Sequence, residues 1–118
     1  MQKRSMAFAA AVLIWAASAL AHTHLTKSVP ADGADLTKAP TEVTLTFAEP
    51  VTLTAARIES SDGTRSTLTP DSEAKAEQHL KLPALGPGRY RVSWRGASAD
   101  GHIMNGAISF TIGAASKP

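Results

Sequence analysis

The segment TEVTLTFAE, residues 41–49, alternates apolar and polar side chains with a period of two. Its large apolar side chains fall on one side of an extended chain: Val43, Leu45 and Phe47. The threonines between them fall on the other side. Because successive side chains of a strand point to opposite faces of its sheet, this pattern predicts a half-buried β-strand that ends near Glu49.

The same alternation recurs along the rest of the chain, beginning near His24. It is found in AARIES (55–60), QHLKL (78–82), RYRVSW (89–94) and AISFTI (107–112). Turn residues separate these segments: Pro30, Asp32-Gly33, Pro40, Pro50, Asp62-Gly63, Pro70 and Gly86-Pro87-Gly88. About seven short strands with turns between them predict an all-β fold, a seven-stranded Greek-key sandwich or small barrel.

Two local patterns refine this prediction. LGPGRY, residues 85–90, resembles the tyrosine corner of immunoglobulin-like sandwiches, in which the Tyr90 hydroxyl would bond back to the main chain. Residues 76–78 are compatible with a short helical turn, which Pro83 would keep short.

The N-terminus has the three parts of a secretory signal. Lys3 and Arg4 precede an apolar run of about 15 residues, shorter than the roughly 18 that a spanning helix needs. Ala19 and Ala21 are the small residues expected before a cleavage site. We therefore predict cleavage before His22; an uncleaved membrane anchor is the alternative. The predicted parts are a signal at 1–21, one domain at 22–113 and a flexible tail at 114–118.

Composition excludes several classes of function. Cleavage would remove two of the 12 basic residues and none of the 10 acidic ones, which leaves the mature side chains balanced. A balanced chain without a basic cluster argues against nucleic-acid binding. The chain has no cysteine, so thiolate metal sites and disulfides are excluded.

His22 would become the first residue of the mature chain. It would then offer a free α-amine and an imidazole, two nitrogens that can chelate one metal ion. This donor set suits Cu(II), which prefers nitrogen and oxygen ligands in tetragonal geometry. The alternative is an exposed terminal histidine without a role.

A second candidate cluster is Asp100-Gly101-His102. In an extended segment, side chains two residues apart point the same way, so the carboxylate and the imidazole could meet at one metal ion. Together with His22 they would supply three nitrogens and one oxygen. The alternative for this motif alone is a turn with a capping aspartate and a solvated histidine.

Other candidates have weaker support. His24 could be a further ligand or could orient the site, and Glu49 continues an apolar strand face, where a carboxylate needs a partner or solvent. His79 is expected to be solvated. Met104 could be a soft contact near His102. Tyr90 and Trp94 are predicted to belong to the core, and no catalytic nucleophile is evident.

Taken together, three segments resemble the CopC family of periplasmic copper-resistance proteins. They are HTHLTKSVPADGADL (22–36), LTFAEPV (45–51) and GRYRVSWRGASADGHIMNGAISFTI (88–112), which cover nearly the whole mature chain in order. The resemblance implies a small cupredoxin-like β-sandwich that binds copper without catalytic turnover. It also implies a periplasmic location, and a CopD-type inner-membrane protein as a possible partner.

By this resemblance, His22 matches the family's N-terminal copper ligand, and Asp100 and His102 match its D-x-H ligands. Glu49 matches a carboxylate proposed near the Cu(II) site in some members, and His24 a histidine that only some members carry. Met104 would be the only methionine of the mature chain, so a methionine cage for Cu(I) is not expected. We therefore expect one Cu(II) per chain, in a monomer that acts as carrier or buffer.

Two other functions compete with this prediction. A terminal histidine with a second histidine also forms the copper brace of polysaccharide mono-oxygenases, which need an open metal position and a substrate-binding face. An immunoglobulin-like interaction module with incidental histidines would show no specific copper affinity.

Overall fold

The computed structural model describes residues 25–113, and the predicted signal and tail lie outside this range. Seven strands make up its regular structure: β1 (Leu25–Val29), β2 (Ala34–Leu36), β3 (Glu42–Ser60), β4 (Arg65–Leu68), β5 (Lys75–Lys81), β6 (Gly88–Ser98) and β7 (Ile103–Ile112). The prediction of an all-β, seven-stranded fold is confirmed. In this part of the chain, no helix of membrane-spanning length and hydropathy occurs.

The long strand β3 organises the sheet because it changes partners along its length. Its first part pairs with β1 and β5, and its second part pairs with β4 and β6. From β6 the sheet continues through β7 to the short parallel strand β2. The pairing of β3 with β5 is irregular between Thr46 and Val51, the stretch that contains Pro50. The prediction that this strand ends at Glu49 is therefore wrong: β3 continues for 11 residues beyond it.

The core lies between the inward faces of the curled sheet. Its buried apolar residues come from β3, β4, β5, β6 and β7, and they include all three predicted from the opening segment: Val43, Leu45 and Phe47. Trp94 is 5% exposed, as predicted for a core residue. Tyr90 is half-buried and stacks on Phe110 with ring centroids 5.7 Å apart.

Two of the local predictions are confirmed and one is wrong. Residues 61–63 form a turn that joins β3 to β4, and the Tyr90 hydroxyl donates to the Gly86 carbonyl at 2.7 Å, as a tyrosine corner requires. Residues 76–78 are strand rather than helical turn. The reason is packing: Gln78 and Leu80 alternate into the interior, and β5 pairs with β3 along this stretch.

Buried Gln78 holds the irregular part of β3 in place. Its side-chain amide donates to the carbonyl of Val51 at 2.7 Å and to that of Glu73 at 3.0 Å. Both bonds lie where the β3–β5 pairing is interrupted, and both give buried or half-buried polar groups a partner. The amide thus ties the loop before β5 to residues 47–50, the part of β3 where its pairing with β5 is interrupted, which we call the bend of β3.

Gly106 leaves room for the indole of Trp94 on the neighbouring strand. A Cβ at Gly106 would lie 2.5 Å from Cζ2 of Trp94, and the indole is held edge-on by Phe47 with ring centroids 6.4 Å apart. We expect Gly106→Ala to lower the free energy of unfolding by about 2 kcal/mol, because a buried ring has little freedom to move. A urea unfolding curve recorded by circular dichroism measures this loss of stability.

Gly86→Ala is the matched control, since a Cβ there would meet no atom within 4 Å. It should unfold within about 0.5 kcal/mol of the parent, the usual range for surface changes. Equal losses in the two variants would show that the contact with Trp94 is not the cause.

Candidate metal centre

The turn between β6 and β7 carries the Asp-Gly-His motif. The backbone N–H of Gly101 donates to the Ser98 carbonyl at 2.9 Å, and the N–H of Ser98 donates to the His102 carbonyl at 3.0 Å. Gly101 has a φ of +89°, a conformation that favours glycine. The motif is therefore a tight turn, and the extended segment assumed from the spacing is wrong.

This turn nevertheless brings the predicted carboxylate and imidazole together. Oδ2 of Asp100 lies 3.0 Å from Nδ1 of His102. Oδ1 of Asp100 accepts a hydrogen bond from the Ser98 hydroxyl and a longer one, 3.4 Å, from the His102 backbone N–H. Both side chains remain open to solvent, Asp100 at 64% and His102 at 79% exposure. An ion arriving from solvent can thus reach them without any rearrangement of the core.

The same contacts control the charge of the carboxylate. The hydrogen bond from the Ser98 hydroxyl, followed by that from the His102 backbone, lowers the pKa of Asp100 below its usual value. Asp100 is therefore ionised throughout the neutral range. An ionised carboxylate beside an imidazole can either share a cation with it or orient the ring so that Nε2 faces the ion.

Ser98 is a residue of this candidate site that the sequence reasoning missed. It is 7% exposed, and its hydroxyl fixes the carboxylate from the end of β6. The sequence signal that could have identified it is its position two residues before Asp100, because serine and aspartate side chains often form hydrogen bonds that close local turns over two residues.

Glu49 lies at the bend of β3, at the same end of the sheet as this turn. Two residues after it, Val51 pairs with Ser98, the last residue of β6. The Glu49 side chain is exposed, and it forms neither a hydrogen bond nor an ion pair with any residue in the range 25–113. The expected partner for this carboxylate is thus not found among the described residues.

The first strand begins at this end too. Leu25, the first residue of β1, pairs with Phe47, two residues before Glu49. His22 and His24 precede it and lie outside the described residues. Within residues 25–113, no three histidine, aspartate or glutamate side chains converge in a way that could hold a metal ion.

His79 lies on β5, away from the β6–β7 turn. Its Nδ1 is 3.4 Å from Glu42 and 3.2 Å from the Thr44 hydroxyl, and its Nε2 is 3.0 Å from Glu77. Its side chain is 44% exposed, in agreement with the solvated position expected. The two carboxylates contact opposite nitrogens of the ring, so they do not point at a common position. Met104 is half-buried and packs against the core.

Comparison with known families identifies the domain. The family model for the CopC domain matches residues 25–113. The chain belongs to the CopC family. This match covers every strand and the β6–β7 turn that carries Asp100 and His102.

Three relatives of this CopC domain illustrate its range. Protein YobA of Escherichia coli K12 is 34% identical over 118 residues, covering 92% of this chain and 95% of its own. Copper resistance protein C of Escherichia coli is 33% identical, with 80% of this chain and 84% of its own covered. Copper transport protein CutJ of Bacillus subtilis is 35% identical over 83% of this chain, which spans only 19% of that longer protein.

Solved structures agree with the fold. CopC from Methylosinus trichosporium OB3b superposes with a TM-score of 0.68 at 25% identity, covering 82% of this chain and 99% of that one. PcoC of Escherichia coli, described as a methionine-rich copper resistance protein, gives a TM-score of 0.59 at 26% identity, covering 78% and 99%.

Proposed function

We propose that this protein binds Cu(II) in the periplasm and acts as a copper carrier or buffer. The metal would be held by the α-amine and imidazole of His22, by His102 and by Asp100. The observation that carries this proposal is the 3.0 Å pairing of Asp100 with His102 at the end of the sheet where β1 begins. Membership of the CopC family supports it, since relatives carry the names copper resistance protein and copper transport protein.

Chain connectivity is compatible with a shared site. His22 is three positions before Leu25, so the chain can place it no more than roughly 11 Å from the first residue of β1. Leu25, near His22 in the chain, pairs with Phe47, and Ser98, near Asp100, pairs with Val51. The two parts of the proposed site therefore lie on either side of the same bend of β3. Glu49 lies within that bend. We propose that it assists the site as a nearby carboxylate, and that His24 serves as a further ligand or orients one.

The donor set favours Cu(II) over Cu(I). Amine, imidazole and carboxylate ligands suit the divalent ion, whereas Cu(I) is selected by thiolates and thioethers. PcoC is described as methionine-rich, but this chain has a single methionine after residue 21. That methionine, Met104, packs against the core. We therefore propose one Cu(II) per chain and no separate Cu(I) site.

The relative CutJ suggests what kind of protein could exchange copper with this chain. It is named a copper transport protein, and about four fifths of its length lies outside the match to this chain. A CopC-like segment joined to a longer transport protein supports the proposal that this chain exchanges copper with a separate membrane protein of CopD type. We propose a monomer that performs this exchange without catalysis, since Tyr90 and Trp94 are packed inward rather than exposed as a substrate-binding face.

A copper titration of protein recovered from the periplasm tests the proposal. We expect an intact mass that begins at His22, one tight equivalent of Cu(II) and an EPR spectrum with nitrogen coupling. Binding should weaken as the pH falls, because imidazole and amine nitrogens must lose protons to bind the metal. A chain that retains residues 1–21, or copper affinity no greater than that of an unstructured histidine peptide, would instead favour the interaction module.

A further inference from the structure

All five arginines of residues 25–113 lie on one outer face of the sheet. They are Arg57 on β3, Arg65 on β4, and Arg89, Arg91 and Arg95 on β6. The arginines of β6 alternate with inward-facing residues such as Val92 and Trp94. Cross-strand pairing of Arg57 with Ser93, and of Glu59 with both Arg65 and Arg91, joins the three strands into one surface. We call this surface the arginine face.

Its arginines are mostly without direct ion pairs to the described residues, although carboxylates lie within the face and along its edges. Nε of Arg65 lies 3.3 Å from Glu59, and the other four arginines form no ion pair with any residue in the range 25–113. Three further carboxylates lie at the edges of the face: Asp35 on β2, Asp32, whose Oδ1 accepts from the backbone N–H of Ser109 at 2.8 Å, and Asp62 in the turn beside Arg89. The mature chain carries ten basic and ten acidic side chains, so the arginine face reflects segregation of charge rather than net charge.

The positions between the arginines are occupied by small or polar side chains. On the outward side of β6 and β7 these include Ser93, Ala107, Ser109 and Thr111. A depression of about 560 Å³ opens between Glu59, Arg91 and Ser109. The large apolar side chain exposed on the outward side of these two strands is Ile103, which is 58% exposed and lies beside the β6–β7 turn.

This composition fits a membrane surface better than a protein partner. Protein interfaces gain most of their affinity from a few buried anchors, chiefly tryptophan, tyrosine and arginine, and the centre of the arginine face has no aromatic or large apolar side chain to accompany its arginines. Binding to an anionic bilayer does not require apolar anchors, because guanidinium groups pair well with the phosphate oxygens of its lipids. We propose that the arginine face docks the protein on a membrane rich in anionic phospholipids.

Docking in this way places the β6–β7 turn at the rim of the contact. Ser98, which pairs with Val51 at the bend of β3, is three residues beyond Arg95 on the same strand. The Asp100 and His102 side chains would then lie close to the membrane plane while staying open to solvent. The proposal does not depend on what these two residues bind.

Vesicle co-sedimentation of the mature protein tests the proposal. We expect binding to vesicles of equal parts phosphatidylglycerol and phosphatidylcholine at roughly 20 mM salt, where exposed charges are weakly screened. Pure phosphatidylcholine should not bind. The triple variant Arg57→Gln, Arg91→Gln, Arg95→Gln should bind about 100-fold more weakly, at about fivefold for each arginine near the surface. Arg91→Gln alone should lose about fivefold.

The matched control removes three positive charges on β1 and β5: Lys27→Gln, Lys75→Gln, Lys81→Gln. It should lose less than about threefold, because charges away from the contact are screened. Thermal unfolding and Cu(II) binding check that both triple variants are folded.

Three results would overturn the proposal. They are equal binding to both kinds of vesicle, an equal loss in the lysine variant, and displacement by poly-glutamate at matched charge concentration. The last would indicate an acidic protein partner instead.

Discussion

A mature chain with an acetyl group on the α-amine of His22 is expected to bind Cu(II) at least 100-fold more weakly than the parent. Acetylation leaves the imidazole in place but removes the amine and, with it, the chelate ring. Loss of an outer-shell partner alone typically costs roughly 10–100-fold in metal affinity, so loss of a direct ligand should cost more. Competition titration with a chelator of known affinity measures the change.

His22→Ala complements this test because it keeps the amine and removes the imidazole. Both changes should weaken binding and reduce nitrogen coupling in the EPR spectrum. If either chain binds Cu(II) as tightly as the parent, the N-terminal chelate is not part of the site. His24→Ala should have a smaller effect than either, since the proposal gives His24 a supporting role.

His102→Ala is expected to weaken Cu(II) binding by about 100-fold or more, again above the range for an outer-shell group. The turn itself should persist, because the bond from Ser98 uses the backbone carbonyl of residue 102. Asp100 would keep its hydrogen bond from the Ser98 hydroxyl but lose its imidazole partner. The variant should therefore unfold close to the parent, which separates loss of a ligand from loss of structure.

His79→Ala is the matched control for this prediction. His79 is also an accessible histidine beside carboxylates, Glu42 and Glu77, but it lies on β5 away from the β6–β7 turn. The Cu(II) affinity of the His79→Ala protein should stay within about twofold of that of the parent, because His79 contacts neither the ion nor its ligands in the proposed site. Equal losses in the two variants would mean that copper binds histidines of this surface without a defined site.

The β-structure was largely predictable because alternation is a local property. Val43, Leu45 and Phe47 are buried, and so are Val92 and Trp94, since each strand has one face towards the core. The predictions that were wrong concern segments whose conformation depends on residues far away in the sequence. Strand β3 runs past Pro50 because Val51 finds partners in β5 and β6, and residues 76–78 are strand because β3 pairs with them.

The candidate site was predictable in its residues but not in its geometry. The motif Asp100-Gly101-His102 indicated a paired carboxylate and imidazole, and the structure places them 3.0 Å apart. The extended conformation assumed for it is wrong, because the backbone of Ser98 closes a turn with His102 and Gly101. Ser98 was missed because its position two residues before Asp100 is compatible with a bond to the carboxylate, but only the structure shows that its hydroxyl makes this bond and lowers the pKa of Asp100.

The sequence by itself determined the strand pattern, the Asp62-Gly63 turn, the tyrosine corner and the identity of the paired side chains at the β6–β7 turn. These features depend on neighbours a few residues apart. Only the tertiary structure decided that Leu25, the bend at Glu49 and the β6–β7 turn meet at one end of the sheet, and that five arginines share one face. The physical reason is strand pairing: neighbouring strands join residues some 20 to 50 positions apart, and the sequence around one residue does not identify its distant partner.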